Sequence, residues 1–362
     1  MKALSTARRK LAALRRRMTI LNLSDGTGAV FPVLGDDRYG HSTAKRYLAC
    51  QDLREKTRPR FGPLLATAGR LAREHGMAML SNLRVDPAIE SMALRVPWFV
   101  ELAVDLPDSV EGYRQSLSQD LRRETRLMDA LFTVEFTKDE RWLPPFREHY
   151  NLPTVRAAHG REAYEEKPEV MLKSQRGGTL LRLFHKGKWV AGQLCSFHGD
   201  AIHMNQIGLL NGDQAQLPRL TMSAAYWHTM RYAIEHGFKT VVVGGVGPDP
   251  RNGLYSFKEK WKAHIQHERT HRAPQYFFID PDHARCRRFF AANGLLFWEG
   301  ERLSLLTGMA GPEELATLER QRYSVRSIDR IYTIDPAYPA GARQEAGAGV
   351  PAVLRSRLHR IR

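Results

Sequence analysis

Residues 217–263 decide the fold, and they read LPRLTMSAAYWHTMRYAIEHG, then FKTVVVGGVG, then PDPRNGLYSFKEKWKA. Pro218 suits the first position of a helix, because its ring fixes a helical φ and it lacks only an N–H that has no partner there. Gly237 suits the left-handed position at which many helices end. The stretch therefore predicts a helix from 218 to 237. Its core-facing stripe recurs every three or four residues, at Leu220, Ala224, Trp227, Met230 or Arg231, and Ile234.

A buried strand and a second, shorter helix are predicted after this helix. Thr240–Val243 is a β-branched run that ends at Gly244 and Gly245, where the backbone turns or lets another group approach closely. A loop rich in Pro and Gly follows and contains Asp249. Residues 254–261 then have the spacing of a short helix, with one side formed by Leu254, Phe257, Lys258 and Trp261.

The order of these elements resembles the last part of the Fem-type aminoacyltransferases and of related acyltransferases with GNAT (N-acetyltransferase) folds. The family motif is close to G-L-x-x-F-K-x-x-[FW] followed by Gly. Here residues 253–261 supply the motif, and Lys262 stands where the family has the Gly. The resemblance covers residues 99–278. It implies an α/β protein with α+β mixed sheets, built from tandem GNAT-like domains of which the second is the better supported.

Four regions are predicted along the chain. Residues 1–18 form a basic amphipathic N-terminal helix, since apolar residues recur there at helical spacing among Arg and Lys. Residues 19–96 form a partial N-terminal GNAT-like domain, and residues 97–335 form the C-terminal GNAT-like acyltransferase domain. Residues 336–362 are rich in Gly, Ala and Pro and end in arginines, which predicts a disordered basic tail.

Several further elements are predicted within these regions. A helix at 61–76 ends at Gly76 and leads into a strand at 77–80. Arg73-Glu-His-Gly76 and Ile234-Glu-His-Gly237 end their helices in the same way, which favours a duplicated fold. The alternative is that Glu-His-Gly simply suits the end of a helix in both places. Short strands are predicted at 19–23, 29–34 and 97–105, and three strands joined by tight turns at 178–184, 189–197 and 201–208.

A helix is predicted after Ser109, and it turns basic along its length. Ser109 suits the N-cap, and Tyr113, Leu117 and Leu121 follow at helical spacing. Its arginines have two interpretations: contact with phosphate groups, or a solvated face paired with Asp120 and Glu124, which we prefer. The arginines in question are Arg114, Arg122, Arg123 and Arg126.

The charge and composition indicate a folded protein with an anionic partner. The 362 residues include 55 Lys and Arg against 39 Asp and Glu, which gives a net charge of +16, and 43% are hydrophobic. This apolar content supports one large domain or two ordinary ones. The charge points to nucleic acid, an anionic membrane face, an acidic carrier protein or a phosphate-bearing cofactor, unless an Arg-rich genome produces part of the excess.

The sequence argues against a metal, an export signal and a spanning helix. Its three cysteines, Cys50, Cys195 and Cys286, lie far apart without a metal-binding spacing. No apolar run reaches about 18 residues, and no signal-like segment follows the basic start. We therefore expect a cytoplasmic protein, either free or peripheral to the inner face of the membrane, with no tightly bound cofactor.

Catalytic residues follow from the resemblance. Acyl transfer to an amine needs a base for the nucleophile, a stabiliser for the tetrahedral oxyanion and a proton donor for the leaving group. Lys258 occupies the position of the family lysine, which implies a cation near the developing negative charge; the alternative is a surface lysine beside Lys260 and Lys262. If the ammonium of Lys258 stabilises the oxyanion, we expect Lys258→Met to keep the fold and the melting temperature near those of the wild type, because no core contact is lost. Tyr255 either donates a proton or packs in the core, and Phe257 flanks Lys258.

Two strand residues complete the catalytic hypothesis. His203 and Asn205 lie on the same side of a strand, where a neutral imidazole can take a proton from the acceptor amine; a histidine exposed on the sheet surface is the alternative. Asp249 either orients the amine or caps its turn. The predicted binding residues for substrate and donor are Phe257, Asn205, Gly244, Gly245, Asp249, Pro218 and Arg219.

The donor is left open among three classes. Acetyltransferases carry a Gly-rich pyrophosphate loop before the helix, whereas residues 214–219 here read QAQLPR. Fem enzymes lack that loop and use charged tRNA, whose phosphates suit a basic chain. The sequence thus predicts an N-acyltransferase that uses acyl-CoA, acyl-carrier protein or aminoacyl-tRNA and an amine acceptor. The alternative is a non-catalytic protein that binds RNA or an anionic membrane on a degenerate transferase scaffold.

Overall fold

The structure is a computed structural model that describes the chain in two compact units. The first unit comprises Met1–Val100, Val246–Tyr255 and His267–Arg362, and the second comprises Glu101–Gly245 and Ser256–Gln266. The described residues are 19–24, 30–35, 52–57, 64–81, 92–160, 165–213, 215, 217–250, 253–266, 274–308, 328, 330–334 and 358–360. The predicted helix at 2–18 lies outside these residues.

The described strands are numbered in chain order. They are β1 (Thr19–Ser24), β2 (Val30–Gly35), β3 (Asp52–Thr57), β4 (Met77–Ser81), β5 (Leu94–Pro97), β6 (Val100–Asp105), β7 (Phe132–Thr137), β8 (Gly178–His185), β9 (Lys188–His198), β10 (Ala201–Leu209), β11 (Thr240–Val246), β12 (His264–Ile265), β13 (Pro274–Ile279), β14 (Leu295–Glu299), β15 (Arg302–Gly308), β16 (Arg330–Ile334) and β17 (Leu358–Arg360).

The described α-helices are numbered in the same way. They are α1 (Leu64–His75), α2 (Val110–Ser116), α3 (Gln119–Leu131), α4 (Leu143–Phe146), α5 (Leu152–His159), α6 (Pro168–Arg176), α7 (Thr221–Glu235), α8 (Gly253–Glu259) and α9 (Ala284–Ala292). A π-helical segment at Arg147–Asn151 joins α4 to α5. Among the described helices, none is long and apolar enough to cross a membrane.

The first unit contains a ten-stranded mixed sheet that uses both ends of the chain. Its strand order is β17-β16-β15-β14-β5-β13-β4-β2-β1-β3. Strand β13 lies antiparallel between β4 and β5, with Phe277 opposite Met79 on one side and Leu94 on the other. The structure therefore divides the chain differently from the predicted ranges 19–96 and 97–335, because residues after 267 complete the sheet that the early strands begin.

Two hydrophobic clusters cover the two faces of strand β4. Met77 and Met79 pack in one cluster with Cys286 and Phe290 of α9. Ala78 and Leu80 point to the other face and pack with residues of α1. This alternation is the period of two that a strand buried on both faces shows. Helix α1 and strand β4 confirm the predicted helix–Gly–strand arrangement, and Gly76 between them has a φ of +84°.

The second unit contains a seven-stranded mixed sheet, in the order β12-β6-β11-β10-β9-β8-β7. The three strands predicted between 178 and 208 are confirmed as antiparallel neighbours β8, β9 and β10. The tight turn between β8 and β9 places Lys186 and Gly187 at φ +49° and +75°. After β10 the chain forms α7 and returns as β11, which runs parallel to β10.

Helix α7 begins later and is buried more widely than predicted. It starts at Thr221 rather than Pro218, because the Pro218 carbonyl accepts hydrogen bonds from the Thr221 amide and hydroxyl in a turn that precedes the helix. Gly237 ends it with a φ of +77°, as predicted. The predicted stripe is buried from Ala224 onward, but so are residues outside it, namely Thr221, Ser223, Ala225, Tyr226, His228, Thr229 and Ala233.

Two other predictions are corrected by the structure. The helix expected after Ser109 is two helices, α2 and α3, capped separately by the hydroxyls of Ser109 and Ser118. Within the predicted disordered tail, Leu358–Arg360 forms β17 and pairs antiparallel with β16. The strand predicted at 97–105 is β6, which begins at Val100.

Candidate functional site

The candidate site lies where two parallel strands of the second unit separate. Strands β10 and β11 pair through Ala201–Thr240, Ile202–Val241 and His203–Val242 only. Both strands continue beyond this point, and β10 bulges at Asn205 in its pairing with β9. Gly244 has a φ of +77°, a left-handed conformation that glycine adopts without steric cost. The backbone therefore opens between β10 and β11 just after His203.

Lys258 is buried against the glycine bend of β11. Its side chain is only 4% exposed, and Nζ donates to the carbonyl oxygens of Gly244 at 2.9 Å and Gly245 at 3.2 Å. Successive carbonyls of a regular strand point in opposite directions, so the bend at Gly244 is what brings both to one ammonium group. Lys258 is therefore not a surface lysine, and the premise that its removal loses no core contact is contradicted by these two hydrogen bonds.

Burial also changes the acidity of Lys258. Removal from water penalises the charged ammonium and lowers its pKa from 10.5 to about 8, while the carboxylate of Glu101 opposes the shift. The group thus remains mostly protonated at neutral pH. Among the described residues, no third acceptor binds this ammonium. One N–H is therefore left for another acceptor.

The chain around Lys258 is anchored to the beginning of α7. The Phe257 ring meets Tyr226 of α7 edge-on, with 5.0 Å between ring centroids. Lys260 Nζ donates to the Ser223 hydroxyl at 3.3 Å and lies 4.4 Å from the Phe257 ring centroid. This places a cation beside the N-terminal turn of α7, the end of a helix that attracts anions.

The far side of this helix is anchored as well. Trp261, which is fully buried, accepts a hydrogen bond at its carbonyl from the Tyr113 hydroxyl at 2.8 Å. The buried residues of the motif are therefore Tyr255, Lys258 and Trp261, spaced three apart. Leu254, which was predicted on the buried side, is 49% exposed.

A polar cluster surrounds His203 on β10 and the adjacent β9. Ser196 lies directly opposite His203, and its hydroxyl accepts from Asn205 Nδ2 at 2.8 Å. The same hydroxyl lies 3.0 Å from His198 Nε2. The rings of His198 and His203 are 4.4 Å apart between centroids. The predicted pair His203 and Asn205 therefore shares one face of the sheet, and the structure adds Ser196 and His198 to it.

The cluster faces away from α7. Phe197, which lies between Ser196 and His198 in β9, contacts Tyr232 of α7. Since successive residues of a strand alternate faces, Ser196 and His198 point to the opposite side of the sheet. A turn of two residues, Gly199 and Asp200, fixes this register. This two-residue turn is the signal in the sequence that places Ser196 opposite His203.

The remaining predicted residues, Pro218, Arg219, Tyr255 and Asp249, lie in the turn before α7, in α8 and in the loop after β11. Pro218 and the exposed Arg219 precede α7 in the turn described above. Tyr255, only 2% exposed, and Asp249 fall in the first unit. There Asp249 accepts a hydrogen bond from the Gly294 amide at 3.2 Å, so it supports a turn, one of its two predicted roles.

The arginines of α2 and α3 have other partners than the predicted ones. Arg114 forms ion pairs with Glu111 at 2.8 Å and Asp129 at 2.6 Å, and its guanidinium lies over the Trp227 ring. Within the described ranges, Asp120 and Glu124 form no ion pair with these arginines. Arg123 and Arg126 are exposed, which agrees with a solvated face. No group of three or more His, Cys, Asp and Glu residues in the described part of the chain is placed to hold a metal.

Comparison with known proteins finds similarity only among solved structures. No family model and no curated protein matches the chain. FemX is 13% identical, with 70% of this chain and 81% of that chain covered and a TM-score of 0.38. The C-terminal domain of a putative lysylphosphatidylglycerol synthetase from Agrobacterium fabrum is 12% identical, with 72% and 80% covered and a TM-score of 0.36.

A GCN5-related N-acetyltransferase from Sphaerobacter thermophilus is 11% identical, with 71% of this chain and 73% of that chain covered and a TM-score of 0.32. The assignment of fold rests on the strand order of the protein itself. Antiparallel β8, β9 and β10, then α7, then β11 parallel to β10, give the second unit the GNAT-like fold that the motif predicted.

Proposed function

We propose that this protein is an N-acyltransferase that moves an acyl or aminoacyl group from an activated donor to an amine. The observation that carries the proposal is the opening between β10 and β11, which has a buried, mostly protonated lysine at the glycine bend. A cation held in a partly dry site interacts strongly with charge that develops during a reaction. This is the group that acyl transfer requires at the oxyanion.

The proposed reaction uses two groups of the second unit, His203 on β10 and Lys258 on α8. The acceptor amine loses a proton to the imidazole of His203, and its nitrogen forms a bond to the acyl carbon of the donor. The carbonyl oxygen becomes an oxyanion, which accepts the remaining N–H of Lys258. The tetrahedral intermediate then collapses: the bond to the donor's sulfur or oxygen breaks, and the leaving group takes up the proton that His203 received from the amine.

The proposed role of His203 rests on its position in β10. His203 is the last residue of β10 that pairs with β11, so it stands at the mouth of the opening. Asn205 and Ser196 hydrogen-bond to each other beside it, and His198 contacts its ring. The cluster thus places two imidazole rings, each able to accept a proton when neutral, at the end of the β10–β11 pairing, where we propose that the amine enters.

The proposed donor is an anionic thioester or ester: acyl-CoA, acyl-carrier protein or aminoacyl-tRNA. All three carry phosphate groups, and the beginning of α7 with Lys260 and the exposed Arg219 offers positive potential for them. The net charge of +16 also attracts these phosphate-bearing donors, and it does so over longer distances.

The test is a matrix of donors and amines. Purified protein is mixed with each of the three donor classes and a panel of amines, and products are followed by mass spectrometry. Turnover with at least one pair is expected, and it should fall sharply in Lys258→Met and in His203→Ala. The absence of both transfer and donor binding in every combination would refute the proposal.

A second candidate is a non-catalytic protein that binds RNA or an anionic membrane. It is favoured by the two carbonyl hydrogen bonds of Lys258, because a lysine that only braces a backbone bend makes the same contacts. Salt-sensitive binding of RNA or vesicles that is unchanged in His203→Ala, together with no turnover in the matrix, would select this candidate.

A further inference from the structure

Helix α3 of the second unit exposes two leucines one turn apart. Leu127 is 53% exposed and Leu131 is 44% exposed, whereas Leu121, Thr125 and Met128 on the opposite side of the same helix are buried. Single apolar side chains on a surface are ordinary. Two leucines four residues apart lie side by side on the helix and form a continuous apolar strip.

Four cationic side chains flank this strip. Arg123 and Arg126 are exposed on α3; Arg123 lies one turn before Leu127, and Arg126 directly precedes Leu127. At the other end, the Leu131 carbonyl lies 3.1 Å from His185 Nδ1, and His185 leads into the β8–β9 turn that exposes Lys186 and Lys188. We call Arg123, Arg126, Leu127, Leu131, Lys186 and Lys188 the basic leucine patch.

The cations of the patch are not neutralised by the protein. Among the described residues, none of the four forms an ion pair with a carboxylate. The nearby carboxylates serve other groups: Asp129 binds Arg114, and Glu135 binds Arg182. Two further carboxylates of α3 lie on the side of the leucines: Asp120 at the first turn and the half-buried Glu124, three residues before Leu127. Neither forms an ion pair with a described residue, and the four cations outnumber them, so the patch presents apolar surface within a rim of net positive charge.

This combination of chemistries distinguishes among possible occupants. A second copy of the same patch would bring its four cations against these four, which is repulsive. A nucleic acid would satisfy the cations but would gain little from aliphatic side chains, since it binds proteins through phosphate contact and stacking on aromatic rings. An anionic bilayer satisfies both, because leucines insert at the headgroup boundary while Lys and Arg contact lipid phosphates.

We infer that the basic leucine patch docks the second unit onto the surface of an anionic lipid bilayer, with Leu127 and Leu131 inserted at the interface. The inference is independent of the proposed function, since neither its residues nor its contacts belong to the candidate site. It assigns a membrane-facing side to the protein through a defined helix face rather than through overall charge.

The test measures binding of the full chain to vesicles by co-sedimentation. One set of vesicles is phosphatidylcholine alone, and the other contains roughly one-third phosphatidylglycerol. The wild type should bind the anionic vesicles preferentially, and added salt should weaken the binding. Leu127→Ser with Leu131→Ser should weaken it about tenfold or more, because partial insertion of two leucines is lost.

A second variant tests the rim independently of the leucines. Lys186→Glu with Lys188→Glu should weaken binding to anionic vesicles about tenfold or more, since two attractions become repulsions. It should leave the weak binding to neutral vesicles unchanged. This variant keeps the inference testable if the serine pair alters the thermal unfolding of the protein.

Matched controls come from helix α6. Val170 is 44% exposed, like Leu131, and Lys173 is exposed on the same helix. Val170→Ser and Lys173→Glu should bind vesicles as the wild type does. The inference is overturned if the wild type binds neither kind of vesicle, or both equally, or if both patch variants bind as the wild type does. It is also overturned if the serine pair alters only the oligomeric state measured by light scattering.

Discussion

The two helix–Gly–strand arrangements of this protein follow one plan but end differently. In the first unit α1, Gly76 and β4 follow β3; in the second unit α7, Gly237 and β11 follow β10. Both helices end in Glu-His-Gly, with the glycine at a φ of +84° in one case and +77° in the other. In both, the strand after the helix runs parallel to an earlier strand: β4 pairs with β2, and β11 pairs with β10.

The difference lies in where the parallel pairing occurs. Strands β2 and β4 pair up to their last residues, Gly35 and Ser81. Strands β10 and β11 pair only at their beginnings, and the glycine bend with Lys258 follows. The first arrangement is a closed part of a sheet, whereas the second is an opening with a cation beside it. The same order of helix, glycine and strand therefore forms either part of a core or the border of a candidate site. The point at which the two parallel strands stop pairing decides which of the two it forms.

The largest expected effect concerns Lys258. If its ammonium stabilises an oxyanion, Lys258→Met should lower turnover by about 10²–10³, the scale that follows loss of one oxyanion-stabilising donor. It should also lower the free energy of unfolding by about 1–3 kcal/mol, because the carbonyls of Gly244 and Gly245 lose their hydrogen-bond partner. Steady-state kinetics and urea unfolding measure the two effects.

Lys262→Met is the matched control for this prediction. Lys262 is exposed one turn further along the chain and makes no hydrogen bond through its side chain to a described residue. We expect its turnover and stability to match those of the wild type. If the two variants have the same turnover, Lys258 braces the glycine bend and has no part in the chemistry.

The next effect separates the two helix-ending glycines. A Cβ at Gly76 would lie 2.8 Å from His283 Nδ1 and 3.1 Å from the Cys286 amide, whereas a Cβ at Gly237 would meet nothing within 4 Å. Gly76→Ala should therefore destabilise the protein by about 2–5 kcal/mol, through backbone strain and overpacking together. Gly237→Ala should lower stability by only about 1 kcal/mol, through strain alone.

Thermal and urea unfolding of both alanine variants measure this difference. The His283 side chain cannot easily move away, because its Nδ1 accepts the Arg285 amide as the cap of α9. Equal losses of stability in the two variants would show that α1 can shift away from α9 at little expense in free energy.

A pH dependence specific to Lys258 is the third prediction. Its pKa is 10.5 when exposed and about 8 in the folded protein, so the unfolded chain binds more protons between these values. The contribution of Lys258 to the free energy of unfolding therefore rises with pH, by about 2–3 kcal/mol between pH 7 and about pH 10. The wild type should gain this amount relative to Lys258→Met in urea unfolding at the two pH values. A constant difference between the two proteins would contradict a buried ammonium.

The smallest effect concerns Lys262, which departs from the family motif. Its φ is +67°, a left-handed conformation, and its amide donates to the Glu259 carbonyl at the end of α8. The glycine of the family suits this position, whereas any other residue bears a steric penalty. Lys262→Gly should raise the free energy of unfolding by about 0.5–1 kcal/mol, measured by urea unfolding. A loss of stability would show that the lysine side chain has a compensating contact.

The fold of the second unit was largely predictable because its signals are local. Turns and helix-ending glycines stand next to the elements they bound, so the strands at 178–208, α7 and β11 could be placed from sequence. The start of α7 was missed because Pro218 suits a turn as well as a first helical position. The division of α2 from α3 was missed because Ser118 caps a helix inside an apparently continuous periodic pattern.

The arrangement of the first unit and the environment of Lys258 could not be predicted in the same way. The sequence of Pro274–Ile279 contains no signal that this strand, β13, pairs with β4 and β5 rather than with β11 and β12, which precede it in the chain. The helical period placed Leu254 on the buried side, yet Tyr255 is buried instead. The burial of Lys258 depends on the carbonyl groups of Gly244 and Gly245 and on the positive φ of Gly244. These features belong to the tertiary structure and have no local signal in the sequence around Lys258.

The position of β13 between β4 and β5 has a consequence for synthesis on the ribosome. Strands β4 and β5 do not pair with each other. The sheet of the first unit is therefore incomplete between them until residues 274–279 have been synthesised and form β13. The second unit, whose last residue is Gln266, is by then already made. A nascent chain therefore completes its second unit while the first unit still has unpaired strand edges. Such edges are prone to aggregation. Arrested translation just before residue 274 should yield a protease-resistant second unit and a sensitive first unit.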